Sequence, residues 1–352
     1  MKHFNAKAYH IVIVGAGIVG EATGKGLAKK GHQISYVDVN PDRIAQLRQQ
    51  NLQAMTAQEV DWSQAEIIML TVSTPTVNNR IVLDHLKSAT ADVGRGLRQN
   101  NKFAVVVVRS TVPPTTTERY LTPLLERTSG KRAGIDFGVA MNPEFLRQRS
   151  NEQDFARPWI TVLGTSDSKT AQILHDLYTP FGGLIVNYCT PTEAEMIKYV
   201  NNIYNAVKIS FFNEIHQICE RLDLNSDLIG AVVARSAEAM WNPLYGIHGG
   251  VPYGGACLPK DTTAFMQFCQ EGDFEHLMLR AAIQVNERLA AQVPAATSPE
   301  EIEDILRTSL THRRNGVNIR SNGRSKHPNG KPKPMRIMRN IGPKHPASFL
   351  ND

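Results

Sequence analysis

Short runs of β-branched and other apolar residues recur along the first half of the chain, with amphipathic stretches between them. A short, continuously apolar run is typical of a strand buried on both faces of a parallel sheet. The runs predict strands at residues 10–15, 34–39, 67–72, 103–108, 135–141 and 160–164. The stretches between them predict helices at residues 18–30, 42–50, 83–98 and 115–127. This alternation of strands and helices indicates a doubly wound, mostly parallel α/β sheet.

The pattern changes near residue 190, where a helical period replaces the strands. Residues 192–222 contain neither glycine nor proline, and their apolar positions step by three or four, which predicts one long amphipathic helix. Further helices are predicted at residues 226–239, 261–270 and 274–292. We therefore expect a sheet domain, a helical domain built on the long central helix, and a tail. Their expected ranges are residues 1–189, 190–292 and 293–352.

The formal net charge of +6 is unevenly distributed along the chain. Residues 307–352 hold eleven of the 39 basic residues and one of the 33 acidic residues, which leaves 28 basic and 32 acidic residues, or −4, for the remainder. A mildly acidic body argues against nucleic-acid binding by the whole protein. The tail has almost no apolar clustering and Phe349 as its only aromatic residue, so we expect a disordered, solvated tail rather than an RNA-binding one.

Neither a membrane segment nor a secretory signal is predicted. The longest apolar runs are too short to span a bilayer, and no apolar stretch follows the first residues. The cysteines form no CxxC pair and are too sparse for a disulfide framework. The four are Cys189, Cys219, Cys257 and Cys269. The sequence therefore predicts a cytoplasmic protein with reduced thiols and without a bound metal.

A glycine-rich turn joins the first predicted strand to the first predicted helix. It carries Gly15, Gly17 and Gly20 in G-x-G-x-x-G spacing, and Asp38 ends the second predicted strand. In this context the spacing is the dinucleotide-binding fingerprint of Rossmann-like folds. Gly15 allows the tight turn, Gly17 lets the backbone approach the pyrophosphate, and Gly20 lets the helix pack closely on the strand.

The start of that helix, at Ile18 and Val19, supplies free N–H groups and a partial positive charge for the phosphates. Asp38 is placed to accept hydrogen bonds from the ribose hydroxyls and to repel a 2′-phosphate. The sequence therefore predicts NAD rather than NADP. Two alternatives stay open at this point: a flavin in place of NAD, and a glycine turn that binds no ligand.

Residues 254–261, GGACLPKD, carry the strongest sign of covalent chemistry. Cys257 follows a glycine turn and precedes a predicted helix start, and Lys260 adds positive charge nearby. Such surroundings stabilise a thiolate. A buried structural cysteine is the alternative, but the glycines on one side and Lys-Asp on the other argue against it.

With this stretch the chain resembles the UDP-glucose/GDP-mannose dehydrogenase family. GGACLPKD is similar to the cysteine motif of that family's active site. Further similar segments follow the family's order over residues 9–290. They are STP at 73–75, RSTVP at 109–113, NPEFLR at 142–147, EMIKY at 195–199 and VNE at 285–287.

The resemblance implies that a nucleotide sugar is oxidised at its C6 alcohol to a carboxylate with NAD, as in UDP-glucose to UDP-glucuronate. An aldehyde carbon has no hydride to release until a nucleophile makes it tetrahedral, which a cysteine thiolate does by forming a thiohemiacetal. Loss of the second hydride leaves a thioester for water to hydrolyse. By this resemblance Cys257 is the nucleophile, and a homodimer through the long central helix is implied.

The resemblance also implies roles for residues outside the cysteine motif. Lys198 and Asn202 would stabilise negative charge that develops on the substrate oxygen. Asp261 would orient the catalytic water, Glu144 would serve thioester hydrolysis, and Thr111 would lie near the nicotinamide and that water. The remaining implied cofactor-binding residues are Arg43, Thr74 and Pro75.

Among the departures from the family's pattern, two bear most on function. Gln148 stands where the family carries a second acid, and no strand–helix alternation returns after Glu287, so the family's third, nucleotide-gripping domain is not predicted. Two other functions therefore stay open: an NAD-binding remnant or assembly module without turnover, and a two-electron 3-hydroxyacid dehydrogenase. Cys257 argues against the latter, because a two-electron oxidation needs no thioester.

Overall fold

The computed structural model describes residues 7–78, 80–146, 151–235, 252–255 and 258–291. Its strands are β1 (His10–Val14), β2 (Gln33–Val37), β3 (Ala54–Met55), β4 (Ile67–Leu70), β5 (Thr76–Val77), β6 (Arg80–Ile81), β7 (Val105–Val108), β8 (Gly138–Met141), β9 (Ile160–Thr165) and β10 (Leu184–Cys189). Its α-helices are α1 (Ile18–Ala28), α2 (Pro41–Gln49), α3 (Asp84–Leu97), α4 (Thr122–Ser129), α5 (Asn151–Ala156), α6 (Ser168–Tyr178), α7 (Pro191–Arg221), α8 (Ser226–Val233), α9 (Leu258–Glu271) and α10 (Leu277–Ala290). A π-helical turn occupies Thr117–Leu121.

Within the described ranges, eight strands form one sheet in the order β10-β9-β8-β7-β4-β1-β2-β3. Neighbouring strands are parallel, except that β8 and β9 are antiparallel. From β3 to β8 this is the Rossmann order, which reverses between β1 and β4. The predicted doubly wound, mostly parallel sheet is thereby confirmed. The carboxyl ends of its six mutually parallel strands meet at one edge, where such folds bind their ligands.

Side chains of the sheet alternate between two apolar cores, one on each face. In β1, Val12 and Val14 belong to one core, and Ile11 and Ile13 belong to the other. Ile11, Val12 and Ile13 have no exposed surface. Because both faces are covered, the strands are apolar at every position, which explains why the sequence signal is continuous rather than alternating.

Several elements differ from the predicted ones. The helix predicted at 115–127 is a π-helical turn followed by α4, because Pro123 in the first turn of α4 has no N–H to donate. Helix α9 begins three residues before the predicted start, and α10 begins three residues after it. The structure also has elements that the sequence did not predict: β3, the β5–β6 hairpin, α5, α6 and β10.

The predicted long central helix is confirmed as the 31-residue helix α7. It begins with a capping box, in which Thr190 and Glu193 each bond the other's backbone N–H. Pro191 occupies the first turn, where a missing N–H costs nothing. A Cβ built on Gly164 of β9 would lie 2.5 Å from the Thr190 carbonyl oxygen. The start of α7 therefore rests directly on the sheet.

The predicted apolar stripe of α7 is largely uncovered in the single chain. Its exposed members are 41 to 57% accessible, and they are Met196, Val200, Ile203, Val207 and Phe211. Near the end of the helix, Ile218 packs against Cys269 and Phe274 in a small core of its own. Among the described helices, none combines the length and apolar character needed to cross a membrane.

Candidate active site

The glycine-rich turn between β1 and α1 has the geometry that its three glycines predict. Gly15 has a φ of +92°, and a Cβ there would lie 2.8 Å from the Val72 nitrogen. A Cβ on Gly20 would lie 2.2 Å from the Gly15 carbonyl oxygen, so close helix–strand packing requires glycine. A Cβ on Gly17 would meet nothing within 4 Å. Gly17 therefore keeps open space beside the helix N-terminus, where a pyrophosphate can approach.

Asp38, just after β2, turns its carboxylate toward this glycine turn. Its Oδ2 accepts the N–H of Ala16 at 2.8 Å, and its Oδ1 accepts the N–H of Asn40 at 2.9 Å. A carboxylate oxygen offers about two lone pairs. Each oxygen thus retains acceptor capacity for a ribose hydroxyl, and Asp38 lies in the wall of the cleft described next.

A cleft of about 690 Å³ opens at the carboxyl edge of the sheet, between the glycine turn and α3. Its size falls in the usual range for cofactor and ligand sites. The predicted site residues in its lining are Gly15, Gly17, Ile18, Val19, Asp38, Thr74, Thr111 and Glu144. The Thr74 hydroxyl donates to the Thr111 carbonyl at 2.7 Å, which joins the loops after β4 and β7.

Three predicted cofactor-binding residues lie outside this lining. Gly20 is buried where α1 packs on the glycine turn. Pro75 is exposed, one residue beyond Thr74. Arg43 lies beside the glycine turn, where its Nε donates to the Ala16 carbonyl at 2.7 Å. Its guanidinium also pairs with Glu21 of α1 and donates to Gln46 at 3.3 Å.

Glu144 and Lys198 form a shielded ion pair at the cleft. The Lys198 Nζ lies 3.0 Å from Glu144 Oε1, with side-chain exposures of 8% and 15%. Glu144 Oε2 accepts the N–H of Leu146 at 2.7 Å, and the Lys198 Nζ lies 5.5 Å from the centre of the Phe145 ring. The loop after β8 and the second turn of α7 therefore place one acid and one base beside the dinucleotide cleft.

The other predicted catalytic residues are not brought into this pair. Asn202, one turn beyond Lys198, is exposed. Asp261 is two-thirds exposed in the first turn of α9 and pairs with Lys260. Cys257 and Gln148 lie outside the described residues, as do residues 236–251 and the tail from 292 onward. Within the described part of the chain, no cluster of His, Cys, Asp or Glu could hold a metal ion.

Glu195, in the second turn of α7, is fully buried against the π-helical turn. Its Oε1 accepts the N–H of Thr117 at 2.7 Å, and its Oε2 has no hydrogen-bond partner. Burial raises the pKa of the Glu195 carboxyl above its ordinary value, against the lowering effect of the Thr117 hydrogen bond. This contact joins α7 to the π-helical turn that follows the Thr111 loop.

Comparison with known proteins decides the family. The sequence profile of the UDP-glucose/GDP-mannose dehydrogenase family matches with its NAD binding domain at residues 9–57 and 45–182, and with its central domain at residues 192–288. The chain belongs to this family. A GDP-mannose 6-dehydrogenase of Pseudomonas putida is 33% identical over 322 residues, which are 85% of this chain and 72% of the relative.

Other members of the UDP-glucose/GDP-mannose dehydrogenase family give the same result. A UDP-glucose 6-dehydrogenase of Haloferax volcanii is 31% identical, over 84% of this chain and 71% of its own. The crystal structure of a GDP-mannose dehydrogenase ternary complex from Pseudomonas aeruginosa superposes with a TM-score of 0.74 at 31% identity. The match covers 80% of this chain and 69% of the chain in that crystal structure.

The match to the family's NAD binding domain confirms the cofactor predicted from the glycine turn. The residues fit NAD on structural grounds as well, because Gly17 leaves space for the phosphates and Asp38 retains acceptor capacity for the ribose.

A buried polar network, for which the sequence predicts no role, lies at the same edge of the sheet. Arg109 after β7 donates to Asn142 after β8 and, at 3.1 Å, to the Tyr178 hydroxyl. That hydroxyl donates to the Asn142 Oδ1 at 2.6 Å. The network joins the RSTVP segment to the NPEFLR segment, which carries Glu144. Both Arg109 and Asn142 stand in segments already noted, but only the fold reveals that they touch.

Proposed function

We propose that this protein is an NAD-dependent nucleotide-sugar 6-dehydrogenase that oxidises a C6 alcohol to a carboxylate in two successive two-electron steps. The observation that carries this proposal is the shielded Glu144–Lys198 pair in and beside the dinucleotide cleft. A cofactor site alone serves many oxidations. A lysine and a carboxylate held beside it supply both a charge for an oxyanion and a group for hydrolysis.

We propose that residues 1–189 bind the cofactor and that residues 190–292 complete the site. The match of the two family profiles on either side of residues 183–191 supports this division. Gly17 and the start of α1 would hold the pyrophosphate, and Asp38 the adenosine ribose. Thr74 and Thr111 line the cleft beyond them. When bound there, NAD accepts one hydride in each oxidation step.

Lys198 would hold negative charge on the substrate oxygen while the C6 carbon changes hybridisation, with Asn202 as a second donor. The thiolate of Cys257 would add to the aldehyde carbon and make it tetrahedral, so that a second hydride can leave. The resulting thioester would take up water, releasing the carboxylate and the thiol. Glu144 would act in this hydrolysis, while Asp261 and Thr111 would orient the water.

The experiment is a product count with purified protein, NAD and either GDP-mannose or UDP-glucose, the two substrates that the relatives' names give. The proposal predicts two NADH for each sugar consumed with one of these substrates. One NADH per molecule of a 3-hydroxyacid would instead show a two-electron dehydrogenase. NAD binding without turnover on any of these substrates would show a cofactor-binding remnant.

A cysteine variant tests the covalent step separately. Cys257→Ala is expected to stop at the aldehyde, with at most one NADH per sugar. Cys257→Ser can still add to the aldehyde, but its ester hydrolyses slowly, so bound sugar should accumulate and appear in intact-protein mass spectrometry. Cys189→Ala is the matched control, because Cys189 is a buried thiol at the end of β10. Two NADH per sugar from Cys257→Ala would remove this cysteine from the mechanism.

A further inference from the structure

Two residues beside the glycine turn give opposite signals about the cofactor. An acid at the end of the second strand is typical of NAD sites, whereas an arginine nearby is typical of sites that hold the 2′-phosphate of NADP. Here both types flank the same residue. Asp38 Oδ2 accepts the Ala16 N–H at 2.8 Å, and Arg43 Nε donates to the Ala16 carbonyl at 2.7 Å. Asp38 and Arg43 therefore contact the same residue of the glycine turn, one at its N–H and the other at its carbonyl.

A second acid, Glu21, holds the side chain of Arg43. Glu21, in the first turn of α1, forms an ion pair with the Arg43 guanidinium. The two side chains are 19% and 22% exposed, so the pair is shielded from water. Glu21 also contacts Lys25 at 2.5 Å. Burial acts to raise the pKa of Glu21, but its bonds to Lys25 and Arg43 outweigh burial and lower that pKa below its ordinary value.

We propose that Glu21 is a specificity-determining residue, which enforces the choice of NAD by keeping Arg43 paired and unavailable to a ribose 2′-phosphate. NADP is then disfavoured by two separate effects. Asp38 repels the phosphate, and Arg43 can approach that phosphate only by leaving Glu21 half-buried with one cation fewer. The inference rests on the NAD site and is independent of the proposed sugar substrate.

The test is a set of variants whose affinities for NAD and NADP are measured by isothermal titration calorimetry, which needs no turnover. Asp38→Ala removes the repulsion and serves as the background. Adding Glu21→Gln is expected to strengthen NADP binding by a further factor of about ten, the value of one charge-assisted contact. Adding Arg43→Met to that double variant should remove the gain, because the freed arginine is its source.

Lys25→Gln in the Asp38→Ala background is the matched control. It takes away the other cation on Glu21 but keeps the Glu21–Arg43 pair, so NADP affinity should stay at the background value. The thermal midpoint of every variant shows that it is folded. If Glu21→Gln leaves NADP affinity within about twofold of the background, or if the gain survives Arg43→Met, Glu21 does not set the specificity.

Discussion

Glu195 lies where water does not reach; its Oε1 accepts the N–H of Thr117, and its Oε2 has no hydrogen-bond partner. Burial makes the charged form of this carboxyl costly, and its bonds to the loop around Thr117 do not offset that cost. Its contact with Thr117 nevertheless connects α7, which carries Lys198, to the segment after Thr111. Glu195 therefore lowers the stability of the fold, but it fixes the position of α7 relative to the segment after Thr111.

Substitution of Glu195 by Gln tests the cost of this buried carboxyl through the pH dependence of folding stability. Because the folded-state pKa of Glu195 is raised, the folded chain binds its proton more tightly than the unfolded chain. The free energy of unfolding contributed by this group is thus lost as the pH rises from the unfolded-state pKa through the folded-state pKa. Glu195→Gln keeps an oxygen for the Thr117 N–H and does not titrate, so its thermal midpoint should rise relative to wild type as the pH increases.

Thermal melts across that pH range give the comparison. Glu220→Gln is the control, since Glu220 is an exposed acid near the end of the same helix and surface pairs contribute little. Parallel melting curves for wild type and Glu195→Gln at every pH would contradict the raised pKa.

The cysteines are expected to differ in reactivity according to their surroundings. Cys189, Cys219 and Cys269 are buried free thiols, and burial raises the pKa of Cys189 to about 11. If Cys257 is the nucleophile, iodoacetamide near neutral pH should label it well ahead of the other three. Peptide mass spectrometry measures the order of labelling, and labelling in denaturant shows whether all four thiols can react. Faster labelling of Cys189 than of Cys257 would count against an activated Cys257.

At the scale of elements, the glycines of the β1–turn–α1 unit have different roles. Gly20 is needed for helix–strand packing, whereas Gly17 leaves space for the cofactor. Gly17→Ala places its methyl group in open space, and its extended backbone, with φ −66° and ψ −166°, suits alanine. The thermal midpoint should stay unchanged while NAD affinity falls about tenfold or more, because the methyl occupies the approach of the pyrophosphate.

Gly20→Ala is expected to give the opposite result. Its Cβ would meet the Gly15 carbonyl oxygen at 2.2 Å, and overpacking of this kind costs about 1–3 kcal/mol. The thermal midpoint should therefore fall. Thermal melts give the stability of both variants, and calorimetric titration gives their NAD affinity. Equal thermal midpoints for Gly17→Ala and Gly20→Ala would refute the different roles of these glycines.

The strands that the sequence predicted are those buried on both faces, such as β1 and β7, because an apolar run carries their signal alone. The unpredicted β10 lies at the sheet edge, where Leu184 is 61% exposed and Asn187 interrupts the apolar run. The two-residue strands β3, β5 and β6 are too short to show any period. Local sequence therefore predicted the centre of the sheet and missed its margins.

The candidate site follows the same division. The glycine turn and Asp38 were predictable because their signal lies within one strand–turn–helix–strand unit. The bond between Arg109 and Asn142 joins residues on different strands, and no local spacing predicts it. The burial of Glu195 was also hidden, since a helical stripe does not reveal which of its turns still lies against the sheet.

At the scale of the whole molecule, the uncovered face of α7 suggests a partner. Its apolar side chains, including Ile203 and Phe211, remain 41 to 57% exposed in one chain. We expect a homodimer through this helix, with twice the monomer mass by light scattering. Ile203→Asp should give a monomer, whereas Ile135→Asp, at an equally exposed isoleucine before β8, should not. A monomeric wild type at working concentration would refute the dimer.

The close contact of Gly164 with Thr190 and the bond from Thr117 to Glu195 hold the start of α7 in place, and the helix is about 46 Å long. If α7 tilts about its first residues, the displacement of each residue grows with its distance from that point. A tilt of about 5° would move Lys198 by about 1 Å but Arg221 by about 4 Å. Lys198, near the start of the helix, therefore moves much less than Arg221 when α7 tilts. Contacts along the distal turns of α7 can therefore change while the spacing between Lys198 and Glu144 is kept.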